Sequence, residues 1–258
     1  MAVRICGERA GHLYELSLGE PGGRNVMNEE WFDAIETHLH EAQKDDRVRV
    51  VLLYSKADAF CAGGDLDAFR NGPLPEGYLR SAFARLVARL VDFDKPIVTA
   101  VHGHAIGGGV TLLLHCDFVY AANGTVFQAP FARLGIVPEF GSSYLFPLYA
   151  GMRKASEIVL LGKAFDAEVA QDIGLVNAVL PSADVLATAR ETARELAAMP
   201  PRTVRESKRL LKAGYRSAIE SALVREGKAL EVSYAAPEVQ EAVAAFFEKR
   251  PADFSAFK

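Results

Sequence analysis

Residues 95–121 read KPIVTAVHGHAIGGGVTLLLHCDFVYA, and this stretch decides the fold class. Its two ends, PIVTAV and DFVYA, are unbroken apolar runs of strand length, which is typical of strands that are buried on both faces. Between them, GGGVTLLLHC is apolar all round and predicts a short, deeply buried helix. The order strand, glycine turn, buried helix and strand favours an α/β domain.

The same alternation continues on both sides of this stretch. Further apolar runs are VRVVLLY at 48–54 and LVNAVL at 175–180, and the start of the chain predicts two short strands, AVRIC and HLYELSL. Amphipathic helices are predicted from Asn28 and over 78–93, because their apolar residues recur at helical spacing. The chain is therefore predicted to form strands that are covered by helices.

The C-terminal quarter differs from the rest of the chain. Beyond LVNAVL the strand signal disappears, and the remaining segments all have a helical period. We therefore expect a core over residues 1–198 and a helical region over 199–258, with Pro200-Pro201 as the joint. The charged residues of these C-terminal helices are interpreted as solvated faces.

Composition limits the kind of function. The chain has 258 residues, half of them hydrophobic, and a net charge of -4, so it offers no basic field for nucleic acid. Three cysteines without a CxxC spacing argue against both a disulfide framework and a zinc site. No apolar run reaches the length of a membrane span, and the N-terminal stretch lacks the pattern of a secretion signal. We expect a cytoplasmic protein that acts on small molecules.

Two glycine-rich turns each follow a buried strand: AFCAGGDL at 59–66 and HGHAIGGGV at 102–110. Without side chains, backbone N–H groups can approach a ligand closely, and a helix N-terminus favours negative charge. The turns match neither the dinucleotide-binding nor the phosphate-loop glycine pattern. From spacing alone, an anion pocket and tight strand-to-helix packing remain equally open.

One carboxylate has unusual neighbours. In GIVPEFGSSY, residues 135–144, Glu139 lies between Pro138 and Phe140. Apolar neighbours would strip water from the carboxylate and raise its pKa by desolvation. The alternative is an exposed acid in the first turn of a helix, where the helix dipole favours negative charge.

Taken together, these motifs resemble those of a known protein family. AFCAGGDL, the stretch at 95–121, FQAPFARLGIVPEFGSSYLFP and AVAAFFEKRPADF follow the order and spacing of the crotonase, or enoyl-CoA hydratase/isomerase, superfamily. The resemblance implies a crotonase-like α/β spiral of repeated ββα units. It also implies an acyl-CoA thioester substrate and C-terminal helices that pack subunits into a homotrimer or a hexamer.

The resemblance also implies roles for individual residues. The backbone N–H groups of Gly64 and Gly108 would form an oxyanion hole around the thioester oxygen, where two fixed donors stabilise an enolate. Backbone around Ala62 would hold the adenine. The positions expected to contact the substrate are Ala62, Asp65, Leu66, Phe131, Leu134 and Arg24. Arg24 and Lys56 are candidates for contacts with the CoA phosphates, and the alternative is that both are ordinary surface cations.

The departures from the family pattern indicate the reaction. The hydratases carry two glutamates at positions that hold Thr111 and Phe131 here, and neither residue is a general base. Glu139 instead occupies the position of the catalytic glutamate in the peroxisomal type of Δ3,Δ2-enoyl-CoA isomerase, within PE-x-x-SS. We expect a single-base isomerase without a metal or a redox cofactor. The alternatives are a hydratase or another enolate-based enzyme, and a non-catalytic acyl-CoA-binding protein.

Other chemically capable side chains are given structural roles. Cys61 beside the first turn is interpreted as a small buried residue instead of a nucleophile, since the sequence supplies no histidine partner. His102, His104 and His115 are assigned to packing or backbone hydrogen bonding instead of metal binding, and Asp65 is a possible helix cap. The segment RNGPLPEGYLRS at 70–81 is expected to form part of the pocket wall.

Overall fold

The computed structural model describes residues 4–68, 77 and 80–257. The strands are β1 (Ile5–Ala10), β2 (Leu13–Leu18), β3 (Val26–Met27), β4 (Val50–Ser55), β5 (Gly63–Gly64), β6 (Ile97–Val101), β7 (His104–Ile106), β8 (Phe118–Ala122), β9 (Val126–Gln128), β10 (Ala164–Asp166) and β11 (Ala178–Leu180). The α-helices are α1 (Glu29–Lys44), α2 (Ala82–Asp92), α3 (Gly108–Thr111), α4 (Ser142–Leu161), α5 (Ala167–Asp172), α6 (Val185–Ala198), α7 (Pro201–Ala213), α8 (Arg216–Tyr234) and α9 (Pro237–Glu248). Short 3₁₀ turns cover Leu112–His115 and Ala132–Leu134.

The long strands form one six-stranded sheet in the order β1-β2-β4-β6-β8-β11. The β1–β2 hairpin is antiparallel, and every later neighbour in this sheet is parallel. A second layer is built from short strands, in the order β10-β9-β7 and as the parallel pair β3-β5. A single bridge from Cys61 to Ala105 joins these two short sheets.

The chain repeats one unit as it passes between the two layers. Each repeat places a long strand in the large sheet, a short strand in the second layer, and then a helix: β4-β5-α2, β6-β7-α3 and β8-β9-α4. Parallel neighbours need such crossover connections. The expected spiral of ββα units is therefore confirmed.

Apolar packing covers both faces of the large sheet. One cluster joins alternate strand residues to Trp31, Ile35 and Leu39 of α1, the helix predicted from Asn28. A second, smaller cluster packs Val50 and other strand residues of the opposite face against alanines of α6. Coverage of both faces explains why the strands read as unbroken apolar runs.

Local signals set the helix ends. The Asn28 side chain accepts the N–H of Trp31 at 2.9 Å and caps α1, and Ser81 caps α2 by accepting the N–H of Ala84 at 3.2 Å. Part of the segment at 70–81, and the first two residues of the helix predicted over 78–93, lie outside the described residues. The GGGVTLLLHC segment forms α3 and the 3₁₀ turn after it, and all eight residues of 108–115 are buried.

Helices α8 and α9 contact the segments on either side of Glu139. Helix α6 ends at Ala198, Pro200 is the N-cap of α7, and Pro201 is its first residue. The division into a core over 1–198 and a helical region over 199–258 stays a prediction. Helix α8 packs on α4, and α9 packs on the 3₁₀ turn at 132–134. No helix in the described part of the chain combines the length and the apolar composition of a membrane span.

Candidate active site

The two glycine-rich turns lie side by side. The N–H of Cys61 donates to the carbonyl of His104 at 2.9 Å, and the N–H of Ile106 donates back to Cys61 at 3.0 Å. A Cβ atom at Gly109 would lie 2.8 Å from the Cβ of Cys61, so this close contact requires glycine. Backbone hydrogen bonding thus brings together two turns that lie about 40 residues apart in sequence.

Met27 lies between the two glycines assigned to the oxyanion hole. It pairs with Gly64 in the β3–β5 ladder, and its Sδ atom is 2.6 Å from the position of a Cβ atom at Gly108. Gly108 is the first residue of α3, where backbone N–H groups have no partner within the helix. Gly64 and Gly108 therefore flank one buried side chain, and Gly108 presents a helix N-terminus.

The Glu139 carboxylate lies against the backbone of Gly108. Its Oε1 atom is 3.1 Å from the position that a Cβ atom would take at Gly108. Glu139 is half-buried and precedes α4, which begins at Ser142. The alternative of an exposed first-turn acid is therefore wrong, because the side chain points at the second glycine turn.

Burial, assisted by the nearby charge of Glu226, raises the pKa of Glu139 to about 8. The desolvation expected from the sequence is the larger cause. A carboxylate of this pKa is a much stronger base than an exposed one. A pKa close to the working pH is typical of a general base.

The backbone after Glu139 is held in an unusual conformation. Phe140 has φ +59° and Gly141 has φ +72°, so two successive residues are left-handed, which is rare for a bulky aromatic residue. The Phe140 ring packs edge-on against Phe83 with 4.7 Å between centroids. Its carbonyl accepts a hydrogen bond from His115 Nε2 at 2.7 Å. Such over-determined strain clusters at functional sites.

Glu226 of α8 is a site residue that the sequence reasoning missed. Its side chain is buried and accepts the N–H groups of Gly141 at 2.7 Å and Ser143 at 2.8 Å. The interpretation of the charges on the C-terminal helices as solvated faces is therefore wrong for Glu226. The sequence does contain a signal of its burial, because Glu226 lies four residues from both Ala222 and Leu230, on the buried face of the helix.

The two positions of the hydratase glutamates hold buried side chains that do not ionise near neutral pH. The Thr111 hydroxyl lies 3.4 Å from the carbonyls of Gly107 and Gly108, within its own helix. Phe131 is fully buried in the main apolar cluster. Neither side chain supplies a second general base beside Glu139.

The other predicted substrate contacts lie around the first turn and beside the 3₁₀ turn. The Ala62 N–H lies within hydrogen-bond distance of the carbonyls of Arg24 and Asn25, at 3.1 and 3.2 Å, so Arg24 is adjacent to Ala62. Asp65 accepts the N–H of Asp67, which is a local turn contact. Leu66 and Leu134 are half-buried, whereas the Arg24 and Lys56 side chains are exposed. Their contacts with substrate stay predictions.

The remaining candidates have structural partners. Burial raises the pKa of the Cys61 thiol to about 12, which suppresses the thiolate that a nucleophile needs. His102 Nε2 hydrogen-bonds the carbonyl of Ala57 at 2.9 Å, whereas the His104 side chain is exposed. Within residues 4–68, 77 and 80–257, no three His, Cys, Asp or Glu side chains form a group that could hold a metal ion.

Comparison with known proteins identifies the family. The sequence model of the enoyl-CoA hydratase/isomerase family matches residues 8–256. The chain belongs to this family. An enoyl-CoA hydratase/isomerase structure from Pseudoalteromonas atlantica T6c superposes with a TM-score of 0.90 at 36% identity, covering 97% of this chain and 99% of that one. The crotonase-like fold is therefore shown by sequence and by structure.

Named relatives within the enoyl-CoA hydratase/isomerase family carry different activities. The 2,3-dehydroadipyl-CoA hydratase of Escherichia coli K12 is 32% identical, over 93% of both chains. Enoyl-CoA delta isomerase 2 of Rattus norvegicus is 30% identical, over 93% of this chain and 62% of the rat protein. Family membership thus gives the fold and the acyl-CoA chemistry, but it does not choose between hydration and isomerisation.

Proposed function

We propose that the protein is an acyl-CoA isomerase that moves the C3 double bond of a 3-enoyl-CoA to C2. The observation that carries the proposal is the Glu139 carboxylate against Gly108, with a pKa raised to about 8. The relationship to the rat isomerase supports it in part, and the non-ionising Thr111 and Phe131 disfavour the two-carboxylate hydratase mechanism.

The reaction is a proton transfer through one base. Glu139 removes a proton from C2, and the electron pair of that C–H bond forms a C1–C2 double bond while the carbonyl π electrons move to the thioester oxygen, giving a dienolate that keeps its C3–C4 double bond. The same carboxyl then gives the proton to C4. The C3–C4 π electrons bond that proton, the C1–C2 π electrons become the C2–C3 double bond, and the charge on oxygen returns to re-form the carbonyl, leaving a 2-enoyl-CoA. No electrons are gained or lost, so we propose that no cofactor besides the substrate's own coenzyme A takes part.

Gly64 and Gly108 are proposed as the oxyanion donors. Their position on either side of Met27, and the free N–H end of α3 at Gly108, support this assignment. A donor fixed in a dry site needs no reorganisation as the charge develops, and losing one such donor typically costs on the order of 100-fold or more in rate. The proposed base, Glu139, then lies beside Gly108, which is itself one of the two proposed oxyanion donors.

Apolar walls support the same chemistry. Phe131 and Phe140 are fully buried, and Leu134 packs on the same apolar cluster. A dry pocket strengthens the base and keeps water from intercepting the dienolate. Water addition to a 2-enoyl-CoA should therefore be slow.

We propose that α7–α9, within residues 199–258, pack subunits into a trimer or a dimer of trimers. Large apolar side chains on these helices support this, since Leu210, Leu211 and Val232 are 69%, 76% and 72% exposed. The cytoplasmic location expected from the sequence stays a prediction.

A substrate panel tests the reaction. The purified protein is incubated with 3-enoyl-CoA esters of several chain lengths, including ring-bearing acyl groups, and with the matching 2-enoyl-CoA esters, and products are identified by mass. The proposal predicts a product isomeric with each accepted 3-enoyl ester and little water adduct. Rapid hydration of 2-enoyl esters would favour the hydratase alternative, and affinity without turnover would favour a binding protein.

A further inference from the structure

Glu226 contacts the turn that carries Glu139 from a different helix. It lies in the middle of α8 with 4% of its surface exposed, and its two carboxylate oxygens accept one backbone N–H each, from Gly141 and Ser143. Helix α4 begins with Gly141 as its N-cap, which has no side chain to accept these N–H groups. Glu226 therefore supplies the missing cap.

The capped turn is the segment that aims Glu139. The carbonyl of Glu139 accepts the N–H of Ser142 at 2.9 Å, and the two left-handed residues Phe140 and Gly141 lie between them. The hydrogen bonds to Glu226 fix one end of this turn. The bond from His115 to the Phe140 carbonyl fixes its middle. A strained turn of this kind needs such restraints to persist.

Glu226 also acts on Glu139 through its charge. Burial raises the pKa of Glu226 above its ordinary value, while its two N–H donors and the helix N-terminus oppose this rise by favouring the ionised form. When it is ionised, its charge adds to the burial that raises the pKa of Glu139. In the part of the chain that the structure describes, the Cys61 thiol and the Tyr234 phenol also interact electrostatically with Glu139. Arg225 lies near Glu226 and favours its charged form.

We propose that Glu226 is a positioning residue for Glu139, which fixes the turn that holds the base against Gly108 and supplies a negative charge that strengthens it. This inference rests on the proposed function, in which Glu139 is the base. It separates two contributions of one side chain, the geometric one through two hydrogen bonds and the electrostatic one through its charge. The variants Glu226→Gln and Glu226→Asp separate them experimentally.

The two variants are expected to behave differently. Glu226→Gln removes the charge and turns an amide N–H toward a backbone N–H, so kcat should fall about 10- to 100-fold with KM nearly unchanged. The acid limb of the pH–kcat profile should also move to lower pH, because Glu139 becomes easier to ionise. Glu226→Asp keeps the charge but is one methylene too short for both bonds. Its kcat should fall while its acid limb stays near that of the wild type.

A matched control is Asp166→Asn. Asp166 caps α5 by accepting the N–H of Val169 at 2.9 Å, so this change also neutralises a carboxylate at a helix N-terminus. It should leave both kcat and the pH profile unchanged. An unmoved acid limb in Glu226→Gln, or wild-type kcat in Glu226→Asp, would overturn the proposal. The kcat of Glu226→Asp tests the proposal even if Glu226→Gln fails to fold.

A measurement that does not depend on catalytic turnover distinguishes a failure of this inference from a failure of the proposed function. In protein labelled with ¹³C at glutamate Cδ, the Glu139 resonance is assigned by its loss in Glu139→Gln and followed through a pH titration. Its midpoint should lie near pH 8 in the wild type and lower in Glu226→Gln. If Glu139→Gln keeps activity, the proposed function fails whatever the titration shows. If only the midpoint fails to move, the charge coupling between Glu226 and Glu139 fails.

Discussion

The Oε1 atom of Glu139 lies 3.1 Å from the point where a side chain at Gly108 would begin. This proximity places a strong base beside the N-terminus of α3. In the proposed mechanism, a thioester oxygen bound at that helix end would bring C2, the carbon next to the carbonyl carbon, within reach of the carboxylate. The proposed function therefore requires glycine at position 108 for the space that it leaves, in addition to the backbone N–H that is proposed as an oxyanion donor.

Replacing Gly108 by Ala should abolish most activity. The new Cβ would lie 2.6 Å from Met27 Sδ and 3.1 Å from Glu139 Oε1, so either the base or Met27 must move. We expect kcat to fall on the order of 100-fold. Gly214→Ala is the control, because a Cβ there meets nothing within 4 Å and its φ is -67°. Equal activity of both variants would contradict the assigned role of Gly108.

Activity should rise with pH through about 8. Glu139 acts as a base only when ionised, and with a pKa of about 8 roughly a tenth of it is ionised at pH 7. The pH dependence of kcat/KM in the free enzyme measures this directly. A profile already flat from pH 6 upward would show that the group is not a base of raised pKa.

Stability should show the opposite pH dependence. The folded protein keeps a proton on Glu139 that the unfolded chain loses above about pH 4.5, so stability falls as pH rises from about 4.5 to 8. Glu139→Gln removes this loss, so its advantage in unfolding free energy over the wild type should grow, reaching on the order of 3 kcal/mol at pH 8. Urea unfolding at pH 5 and pH 8 measures the difference. A stability difference that is the same at both pH values would argue against a half-buried, protonated Glu139.

His115 should support the turn through its hydrogen bond to Phe140. Burial, assisted by the charge of Lys212, lowers the pKa of His115 to about 4, so the ring is neutral and donates through Nε2. His115→Leu leaves the Phe140 carbonyl without this donor and should cost about 1–3 kcal/mol in unfolding free energy. His115→Gln, which retains an N–H donor, should recover part of the loss. Equal stability of the two variants would contradict a role for this bond.

The cysteines should differ sharply in reactivity. Cys6 is exposed, whereas burial raises the pKa of Cys61 to about 12 and of Cys116 to about 11. Iodoacetamide at pH 8 should therefore alkylate Cys6 alone in the folded protein, without loss of activity. Mass spectrometry of Cys6→Ala, which should remain unmodified until denatured, is the control. If alkylation of Cys61 inactivated the protein, the interpretation of Cys61 as a buried structural residue would be contradicted.

Much of the fold follows from periodic signals in the sequence. The helical spacing of Trp31, Ile35 and Leu39 and the unbroken run in β4 predict a helix and a buried strand, because each reflects local packing. Glu139 was found through its position within a motif. The helical spacing of Glu226 indicates that it is buried, but not what it contacts, because its partners Gly141 and Ser143 lie 85 and 83 residues earlier in the chain. Only the packing of α8 on α4 brings them together, and no local pattern encodes that contact.

The most direct test of the account follows the proton that Glu139 is proposed to move. A 3-enoyl-CoA carrying two deuterium atoms at C2 is converted by the wild type and by Glu139→Gln, and the product is mapped by mass spectrometry and NMR. The proposed single-base mechanism predicts deuterium at C4 of the 2-enoyl product from the wild type, and at least a 1,000-fold lower rate from the variant, on the scale expected when an essential base is lost. Near wild-type turnover by Glu139→Gln, with no deuterium reaching C4 in either protein, would contradict it.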